Sequence, residues 1–323
     1  MDSMETRPRG RFAPSPSGWM HLGNAWSALL AWLDIRKLGG AMVLRMEDLD
    51  PDRSRSDYAS GIMEDLRWLG LDWDEGPDIG GPCAPYNQSE RTDKYEAVFE
   101  RLKEKGLVYP CFCSRAQLYS AASAPHAGDV EKTYSCRCRQ ENEVKTAQLQ
   151  SQGRKPSFRI RVGAAAIEFE DGLYGTQSQP LAQACGDFVI RRSDGVFAYQ
   201  LAVVVDDAAM RIDRVVRGAD LLASTPRQIF LFQLLGTKPP QYVHVPLLLG
   251  SDGSRLSKRH GSLSLKALRK AGIKPEAIVG RLAAWAGLIE SAVAVRASDL
   301  VESFFIAKLP RDSVVVEDTL KFP

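Results

Sequence analysis

The turn RFAPSPSGWMHLGN, from Arg11 to Asn24, combines prolines, serines and glycines with a histidine that directly precedes a helical segment. Its small residues leave room for a ligand, and Gly18 and Gly23 permit a close approach of the backbone. The following helix directs its free N–H groups and positive dipole end at the turn, which favours phosphate. His21 adds a side-chain donor. The turn therefore predicts a phosphate site, and a proline-rich turn with a capping histidine is the alternative.

A second stretch with chemical potential is GSDGSRLSKR, from Gly250 to Arg259, in which Lys258 stands near two arginines. Cationic loops of this kind stabilise the negative charge that develops on a leaving pyrophosphate. A solvated basic turn is the alternative and the more common meaning of such a string. Paired with the first turn, the loop predicts an enzyme that uses ATP.

Cysteines form the third element, because four of the six in the chain lie close together in one segment. These four are Cys111, Cys113, Cys136 and Cys138. Four thiolates would satisfy tetrahedral zinc from composition alone, and the spacing favours one structural zinc ion over reduced cysteines in a loop. Cys83 and Cys185 lie outside the cluster and are expected to be plain buried thiols.

The bulk composition is that of an ordinary globular protein. The chain has 323 residues, of which 44% are hydrophobic and 25% charged, and its net charge is +2. Any binding to nucleic acid must then come from a local basic face. No secretory signal and no run of about 18 apolar residues occurs, so we expect a cytoplasmic protein without a membrane span.

The elements that must position these residues begin with an alternation of strands and helices. We predict strands at 11–13 and 41–46, and helices from His21 to Leu38, Tyr58 to Leu69 and Ser89 to Lys105. This alternation is typical of a parallel sheet covered by helices.

The second half of the sequence predicts further strands and a helical end. Residues 156–170 alternate like a strand pair, and 187–207 predict a β-hairpin that turns at Asp194-Gly195. A short helix is expected from Ile229 to Leu235 and a strand at HVPLLLG. From Ser264 onward the prediction is mostly helical.

Read together, HLGN and RLSKR resemble the two hallmark motifs of class I aminoacyl-tRNA synthetases. The stretches LRMEDLDPDR, FAYQLAVVVDD and VRGADLLASTPRQ resemble the glutamyl branch, and the resemblance covers roughly Arg9 to Lys266. It departs at Asn24, where the class often has a second histidine. It departs again at Arg255 and Arg259 around Leu-Ser-Lys.

The resemblance is strongest to a truncated paralogue family, the glutamyl-queuosine tRNA(Asp) synthetases, because the stretch after Arg259 is too short for a large anticodon-binding region. Membership implies ATP, L-glutamate and queuosine-containing tRNA(Asp) as partners, Mg²⁺ with ATP, one structural Zn²⁺, and a monomer. It also implies that glutamate is activated without tRNA. The alternatives are a compact synthetase that charges a tRNA 3′ end with glutamate and a non-catalytic tRNA-binding paralogue.

The resemblance also implies roles for individual residues. The glutamate-binding residues would be Arg11, Phe12, Ala13, Pro14, Ser15, Glu47, Tyr199 and Arg217. The ATP-binding residues would be His21, Gly23, Asn24, Leu256, Ser257 and Lys258, with His21 and Lys258 catalytic. The zinc ligands would be Cys111, Cys113, Tyr134 and Cys138, and Cys136 could replace Tyr134.

Each pocket residue also has an ordinary structural interpretation. Arg217 could be a surface arginine beside Asp220, Tyr199 could pack in the hairpin, and Glu47 could pair with Arg45. The acidic pair Asp206-Asp207 is left outside the predicted site, as a cap of the next segment.

The predicted fold is α/β, a Rossmann-type parallel-sheet catalytic domain split by a zinc-binding insertion and followed by a small, mostly helical C-terminal domain. The expected divisions are 1–108 and 186–248 for the two catalytic halves, 109–185 for the insertion, and 249–323 for the RLSKR loop and C-terminal domain. The active site is expected at the carboxyl ends of the strands.

Overall fold

The computed structural model describes residues 7–113, 137–140, 143–164, 166–254, 256, 264–316, 320 and 322–323. Its strands are β1 (Arg9–Phe12), β2 (Ala41–Leu44), β3 (Val108–Cys111), β4 (Ser157–Ile160), β5 (Ala166–Asp171), β6 (Gly175–Pro180), β7 (Phe188–Arg191), β8 (Arg214–Gly218), β9 (Gln241–Val245), β10 (Leu248–Leu249) and β11 (Val314–Val315). Its helices are α1 (Leu22–Lys37), α2 (Ser56–Trp68), α3 (Thr92–Glu104), α4 (Glu143–Ser151), α5 (Leu181–Ala184), α6 (Tyr199–Ala209), α7 (Thr225–Leu235), α8 (Leu265–Lys270) and α9 (Pro275–Trp285).

A six-stranded sheet in the order β2-β1-β8-β9-β5-β6 forms the centre of the molecule. Neighbouring strands are parallel from β2 to β5, and only the edge strand β6 is antiparallel to its neighbour. The predicted α/β fold with a parallel sheet is therefore confirmed.

Both faces of this sheet carry a hydrophobic core. Met42 and Leu44 of β2 belong to a cluster with α1, α2 and α9, whereas Val43 between them belongs to a cluster with α3, α6 and α7. Because successive strand side chains point to opposite faces, a sheet covered on both sides needs apolar residues at every position. The run AMVL supplies them.

Helix α1 is buried on nearly all sides and carries the turn that precedes it. Trp26 is 1% exposed, and its indole N–H donates to the carbonyl of Pro246 at 2.8 Å. A helix that is apolar all round belongs inside a protein. The predicted helix from His21 to Leu38 is confirmed within one residue at each end.

Two smaller sheets complete the fold. Strands β3, β4 and β7 form an antiparallel sheet in which Cys111 lies opposite Ser157. Strand β10 pairs with β11, so that the C-terminal stretch returns to the strand that leads into the basic loop. The domain divisions stay a prediction. The β5–β6 hairpin falls within 109–185, and it extends the central sheet.

The predicted hairpin at 187–207 is wrong in its second half. Strand β7 and a turn at 194–195 are present, but the chain becomes helix α6 at Tyr199. The sequence YQLAVVVDD is buried at every position in this helix. A helix buried all round shows no 3.6-residue period, and its β-branched residues imitate a strand, so tertiary packing decided the outcome.

Other boundaries also differ from the sequence prediction. Strands β4 and β5 exist within 156–170 but do not pair with each other, because they lie in different sheets. Ser89 lies in a 3₁₀ turn at Gln88–Arg91, and α3 begins after it. The end of the chain holds two short helices, 3₁₀ turns and β11, which makes it less helical than expected. Among the described helices, none is long and apolar enough to cross a bilayer.

Candidate active site

The predicted glutamate-binding side chains converge beside the carboxyl ends of the central strands. Arg11 lies on β1, Glu47 follows β2, Arg217 lies on β8 and Tyr199 opens α6, and all four are at least nine-tenths buried. Burial raises the pKa of the Tyr199 hydroxyl, and the charges of Arg217, Glu47 and Arg11 all act on it. The structure thus brings together four residues that lie far apart in the sequence.

Two of these residues, Arg11 and Glu47, belong to a buried group of charged side chains that we name the ion cluster. It consists of Arg11, Arg45, Glu47, Arg91, Asp206 and Asp207.

Arg45 is the centre of the ion cluster. It is fully buried, and its Nη1 donates to Asp207 Oδ1 at 2.7 Å while its Nη2 donates to Glu47 Oε1 at 3.1 Å. Its Nε lies 3.8 Å from Asp206 Oδ2. The expected pairing of Glu47 with Arg45 is therefore present, and it fixes the Glu47 carboxylate where β2 ends.

Asp206 ties helix α6 to the segment that begins α3. Its carboxylate accepts hydrogen bonds from Gln88 at 2.7 Å, from Arg91 at 2.6 Å and from Tyr95 at 2.8 Å. The interpretation of Asp206-Asp207 as a cap at a strand end is thus wrong. The signal that could have found their role is two consecutive acids in an otherwise apolar run, because buried charges require partners.

The electrostatics of the pocket leave donors facing inward. Burial is the main cause that raises the pKa of Glu47, against the opposing effect of Arg45 and Arg11. Burial also lowers the pKa of Arg11, although Asp207 opposes it. Within the described part of the chain, Nη1 of Arg217 is buried and donates to no protein group, and Nε of Arg11 makes no hydrogen bond although it lies 3.8 Å from Asp207 Oδ1. The Nη1–H of Arg217 is a donor that a ligand carboxylate can satisfy.

Arg217 is held in place by buried groups. Its Nε lies 3.0 Å from His244 Nε2, its Nη2 donates to Thr225 Oγ1 at 2.7 Å, and its guanidinium lies 5.0 Å from the centre of the Tyr242 ring. The side chain is 4% exposed, so the interpretation as a surface arginine beside Asp220 is wrong.

The predicted turn lies beside this pocket and is fixed mainly by backbone hydrogen bonds. The carbonyl of Phe12 accepts from the amide of Arg45 at 3.0 Å, and that of Pro14 from the amide of Glu47 at 2.9 Å. Ala13 and Pro14 are half-buried, and Ser15 is exposed. The backbone of the turn therefore runs alongside the residues that follow β2, next to the pocket.

His21 caps helix α1. Its Nδ1 accepts from the Gly23 amide at 3.1 Å, and Asn24 Oδ1 accepts from the His21 amide at 3.2 Å. The capping alternative is thus correct, and it does not exclude phosphate binding. Because Nδ1 is an acceptor, a neutral His21 carries its proton on Nε2, which can still donate. A Cβ on Gly23 would lie 3.0 Å from His21 Cε1, so glycine leaves room for the ring.

Leu256 and Ser264, which flank the segment 257–263, both lie near the start of α1. Leu256 is 1% exposed, and its amide lies 3.3 Å from the carbonyl of Leu248. Ser264 pairs with His21 in an antiparallel bridge, and the amide of Leu265 donates to the carbonyl of Met20 at 2.8 Å. Ser257 and Lys258 lie outside the described residues. Both flanks of their segment nevertheless reach the predicted phosphate turn.

The cysteine segment contains a candidate metal centre. The sulfurs of Cys111, Cys113 and Cys138 lie within 4.8 Å of one another, and those of Cys113 and Cys138 are 3.7 Å apart. Tetrahedral ligation with Zn–S bonds of about 2.3 Å requires sulfur atoms about 3.8 Å apart. Three predicted ligands thus fit a metal site. Tyr134 and Cys136, the alternatives for the fourth position, lie outside the described residues.

Comparison with known proteins places these features in a family context. The family model for the catalytic domain of class I tRNA synthetases (E and Q) matches residues 8–310. A Glutamyl-Q tRNA(Asp) synthetase of Nitratidesulfovibrio vulgaris is 54% identical over 307 residues, which are 95% of this chain and 95% of the relative. A glutamate–tRNA ligase 2 of Syntrophus aciditrophicus is 44% identical over 86% of this chain and 57% of the relative.

A solved structure shares the same architecture. The glutamate tRNA ligase of Elizabethkingia meningosepticum, determined in complex with its amino acid, superimposes with a TM-score of 0.79 at 27% identity. The match covers 96% of this chain and 67% of that protein. The fold thus occurs in a protein that was solved with its amino acid.

Proposed function

The chain belongs to the family of class I tRNA synthetases of the E and Q type, and from this premise we propose that it activates glutamate with ATP and transfers it to queuosine in tRNA(Asp). The observation that carries the proposal is the 54% identity to a Glutamyl-Q tRNA(Asp) synthetase over 95% of both chains. Activation proceeds without tRNA, and the acceptor is the modified nucleoside at the wobble position. The place of action is the cytoplasm.

Glutamate binds through charges of the opposite sign. It carries two carboxylates and one ammonium group, and the pocket offers the guanidinium groups of Arg11 and Arg217 together with the Glu47 carboxylate. We assign the two arginines to carboxylates, because guanidinium donors match that geometry, and Glu47 to the ammonium group. Tyr199 closes the pocket from the first turn of α6. The backbone from Phe12 to Ser15 lines the side nearest the nucleotide.

Activation requires positioning and charge stabilisation, and no protein nucleophile. The α-carboxylate of glutamate attacks the α-phosphorus of ATP in line, a P–O bond forms, and the bond to pyrophosphate breaks. The positive dipole end of α1, the Nε2–H of His21 and the Lys258 ammonium receive the phosphates. Gly23, Asn24, Leu256 and Ser257 shape this nucleotide site. Mg²⁺, when bound with ATP, would supply further positive charge at the phosphates.

Transfer then moves the glutamyl group from the adenylate to RNA. A hydroxyl oxygen on the cyclopentene ring of queuosine attacks the activated carbonyl carbon, and AMP leaves as the new ester forms. The hydroxyl loses its proton in this step, and the leaving AMP phosphate is an acceptor already at hand.

We assign one structural zinc ion to Cys111, Cys113 and Cys138, with Tyr134 or Cys136 as the fourth ligand. A bound Zn²⁺ crosslinks the end of β3 to the 3₁₀ turn at Arg137–Gln140. Metal analysis of the purified protein is expected to give one zinc per chain. Cys113→Ser should lose that zinc and Cys83→Ser should keep it, and retention of zinc in Cys113→Ser would refute the assignment.

The test of the proposed function is transfer of labelled glutamate to matched preparations of tRNA(Asp). One contains queuosine, a second contains unmodified guanosine at the same position, and a third contains queuosine but lacks the 3′-terminal adenosine. The proposal expects label on the first and third only. Label on the first and second would instead identify an enzyme that charges the 3′ end, and no label on any would refute both.

A further inference from the structure

Arg217 is the last member of a buried chain of polar groups that crosses three strands of the central sheet. Asp171 ends β5, His244 lies on β9 and Arg217 lies opposite His244 on β8. The distance from Asp171 Oδ2 to His244 Nδ1 is 2.6 Å, and that from His244 Nε2 to Arg217 Nε is 3.0 Å. His244 and the Asp171 carboxylate are fully buried, and Arg217 is 4% exposed. Three hydrogen-bonded side chains thus connect β5, next to the edge strand β6, through β9 to Arg217 on β8.

Arg217 on one side and Asp171 on the other determine which nitrogen of the His244 imidazole carries the proton. Arginine has only donors, so Nε2 of His244 must accept from Arg217. The proton of the neutral ring therefore lies on Nδ1, where it is donated to Asp171. Asp171 is itself fixed as an acceptor, because it also receives the amides of Leu173 and Tyr174 at 3.1 and 2.9 Å. Thr225 Oγ1 also lies 3.0 Å from Nε2 of His244, where its hydroxyl can donate to the same lone pair. One tautomer of the ring therefore satisfies Asp171, Arg217 and Thr225.

The surroundings keep the imidazole in that neutral state. Burial lowers the pKa of His244 to about 4; the hydrogen bond to Asp171 opposes this, and the charges of Arg217 and Arg11 add to it. The ring of Tyr242 stacks on His244 with an interplanar angle of 16° and a centroid distance of 6.1 Å. A protonated ring would direct an N–H at the guanidinium, so the neutral form is the one that can hold Arg217.

The neutral His244 ring helps to fix the orientation of the Arg217 guanidinium. His244 accepts from its Nε, Thr225 Oγ1 accepts from its Nη2, and the face lies over Tyr242. Only Nη1 remains, buried and without a partner among the described residues. Because the guanidinium is planar and two of its nitrogens are hydrogen-bonded, the direction of the third nitrogen, Nη1, is fixed.

We propose that His244, held by Asp171 in its Nδ1–H tautomer, is a positioning residue that aims Nη1 of Arg217 at a carboxylate of the bound amino acid. The carboxylate at Nη1 rests on the proposed function, and the contacts that hold the guanidinium do not. The role of His244 is exerted through Arg217, and His244 itself makes no contact with substrate.

Two substitutions of similar size test the acceptor nitrogen and the donor nitrogen of the His244 ring separately. The amide nitrogen of asparagine can occupy the place of Nδ1 and donate to Asp171, but His244→Asn offers Arg217 no acceptor. His244→Gln reaches the place of Nε2 with its amide oxygen and can accept from Arg217. In glutamate-dependent exchange of pyrophosphate into ATP, we expect His244→Asn to raise the KM for glutamate at least about tenfold and His244→Gln by less than about threefold.

The KM for ATP serves as the internal control, because Arg217 faces the amino acid and not the nucleotide. It should change less than about twofold in both variants. An unchanged glutamate KM in a folded His244→Asn, or equal effects of the two substitutions, would overturn the proposal. A loss confined to kcat would also overturn it, since that result reports fewer active molecules.

A spectroscopic test needs neither a variant that folds well nor any activity. The chain has four histidines, so imidazole signals from ¹⁵N-histidine-labelled protein are few. We expect one ring to remain a neutral Nδ1–H tautomer from pH 5 to pH 8, and to disappear in His244→Gln. Absence of such a ring refutes the positioning role. Wild-type protein that shows this ring but no glutamate-dependent exchange refutes the proposed function and leaves the geometry standing.

Discussion

The amino-acid pocket and the nucleotide turn adjoin each other, yet they are built in opposite ways. The pocket rests on the ion cluster, whose charged side chains are bonded to one another out of contact with water. The nucleotide turn is fixed by backbone amides and a helix cap, with His21 half-buried and Ser15 exposed. One region is made of side chains and the other mainly of main chain.

The difference follows from what each region must hold. Glutamate is small and carries three charges, so a pocket that removes it from water must already contain matched charges in fixed positions. Phosphates arrive with their own metal ion, and the N–H groups and dipole at the start of α1 attract them without buried side chains. Substitutions in the pocket should therefore affect folding and binding together, whereas removal of a phosphate-binding donor at the turn, with the helix cap kept, should affect catalysis alone.

The largest expected effect comes from breaking the ion cluster at its centre. Arg45→Met removes the partner of Asp207 and Glu47 and leaves their charges buried, which should cost about 3–5 kcal/mol in the free energy of unfolding. Urea denaturation followed by circular dichroism measures this loss. Arg296→Met, at an exposed ion pair with Asp299, is the matched control and should leave the unfolding curve nearly unchanged. Equal curves for both variants would mean that the cluster has no special role.

The nucleotide side should respond in rate and not in stability. Lys258→Ala removes the cation proposed to face the leaving pyrophosphate and should slow pyrophosphate exchange about 10²–10³-fold. The urea midpoint should stay at the wild-type value. Exchange at the normal rate in this variant would remove Lys258 from the mechanism, and a large drop in midpoint would erase the contrast between the two regions.

A smaller and more selective effect is expected at His21. Asparagine can accept from the Gly23 amide as the imidazole does, but it lacks a donor at the position of Nε2. His21→Asn should therefore keep the stability of the wild type and slow activation about tenfold. His21→Ala loses the cap as well and should cost about 1 kcal/mol of stability. If the two variants were equally slow and equally stable, the cap would have no energetic role.

The smallest effect concerns a buried carboxylate outside the ion cluster. Oδ2 of Asp65 on α2 accepts no hydrogen bond from the described residues, and burial raises the pKa of Asp65 from 3.8 to about 6. Its contribution to stability is fully present below about pH 4 and is lost as the pH rises through 6, because the folded state binds the proton more tightly. The stability of Asp65→Asn relative to wild type should therefore grow between pH 4 and pH 7.

Thermal unfolding of both proteins at several pH values measures this trend. A constant difference between Asp65→Asn and wild type across that range would contradict it. Asp206 provides the contrast, since it accepts hydrogen bonds from three donors and Asp65 Oδ2 from none.

The sequence predicted the first half of the fold well and the second half less well. Helices α1 and α2 and strands β1 and β2 follow periodic patterns bounded by turn residues, and these patterns survive in the structure. Helix α6 was mistaken for a strand because its burial on all sides removes the period. Strands β4 and β5 were paired by proximity in sequence, although pairing depends on register and sheet position, which no local pattern contains.

The candidate site was likewise predicted only in part from the sequence. The resemblance to the glutamyl branch was enough to nominate Arg11, Glu47, Tyr199 and Arg217, and the structure brings all four together. The groups that hold them were missed. Asp206-Asp207 was set aside, and His244 and Asp171 were not singled out, because a buried polar partner has no signature until its neighbour is known.

The sequence by itself determined the chemistry that is present: a phosphate turn, a basic loop, a set of thiols and the charges for an amino-acid pocket. Tertiary structure alone decided which charges neutralise each other and which donors remain free. The reason is physical, since hydrogen bonds and ion pairs between residues as distant as Arg45 and Asp207 depend on distances of a few ångströms. Such distances are fixed only when the strands and helices have packed.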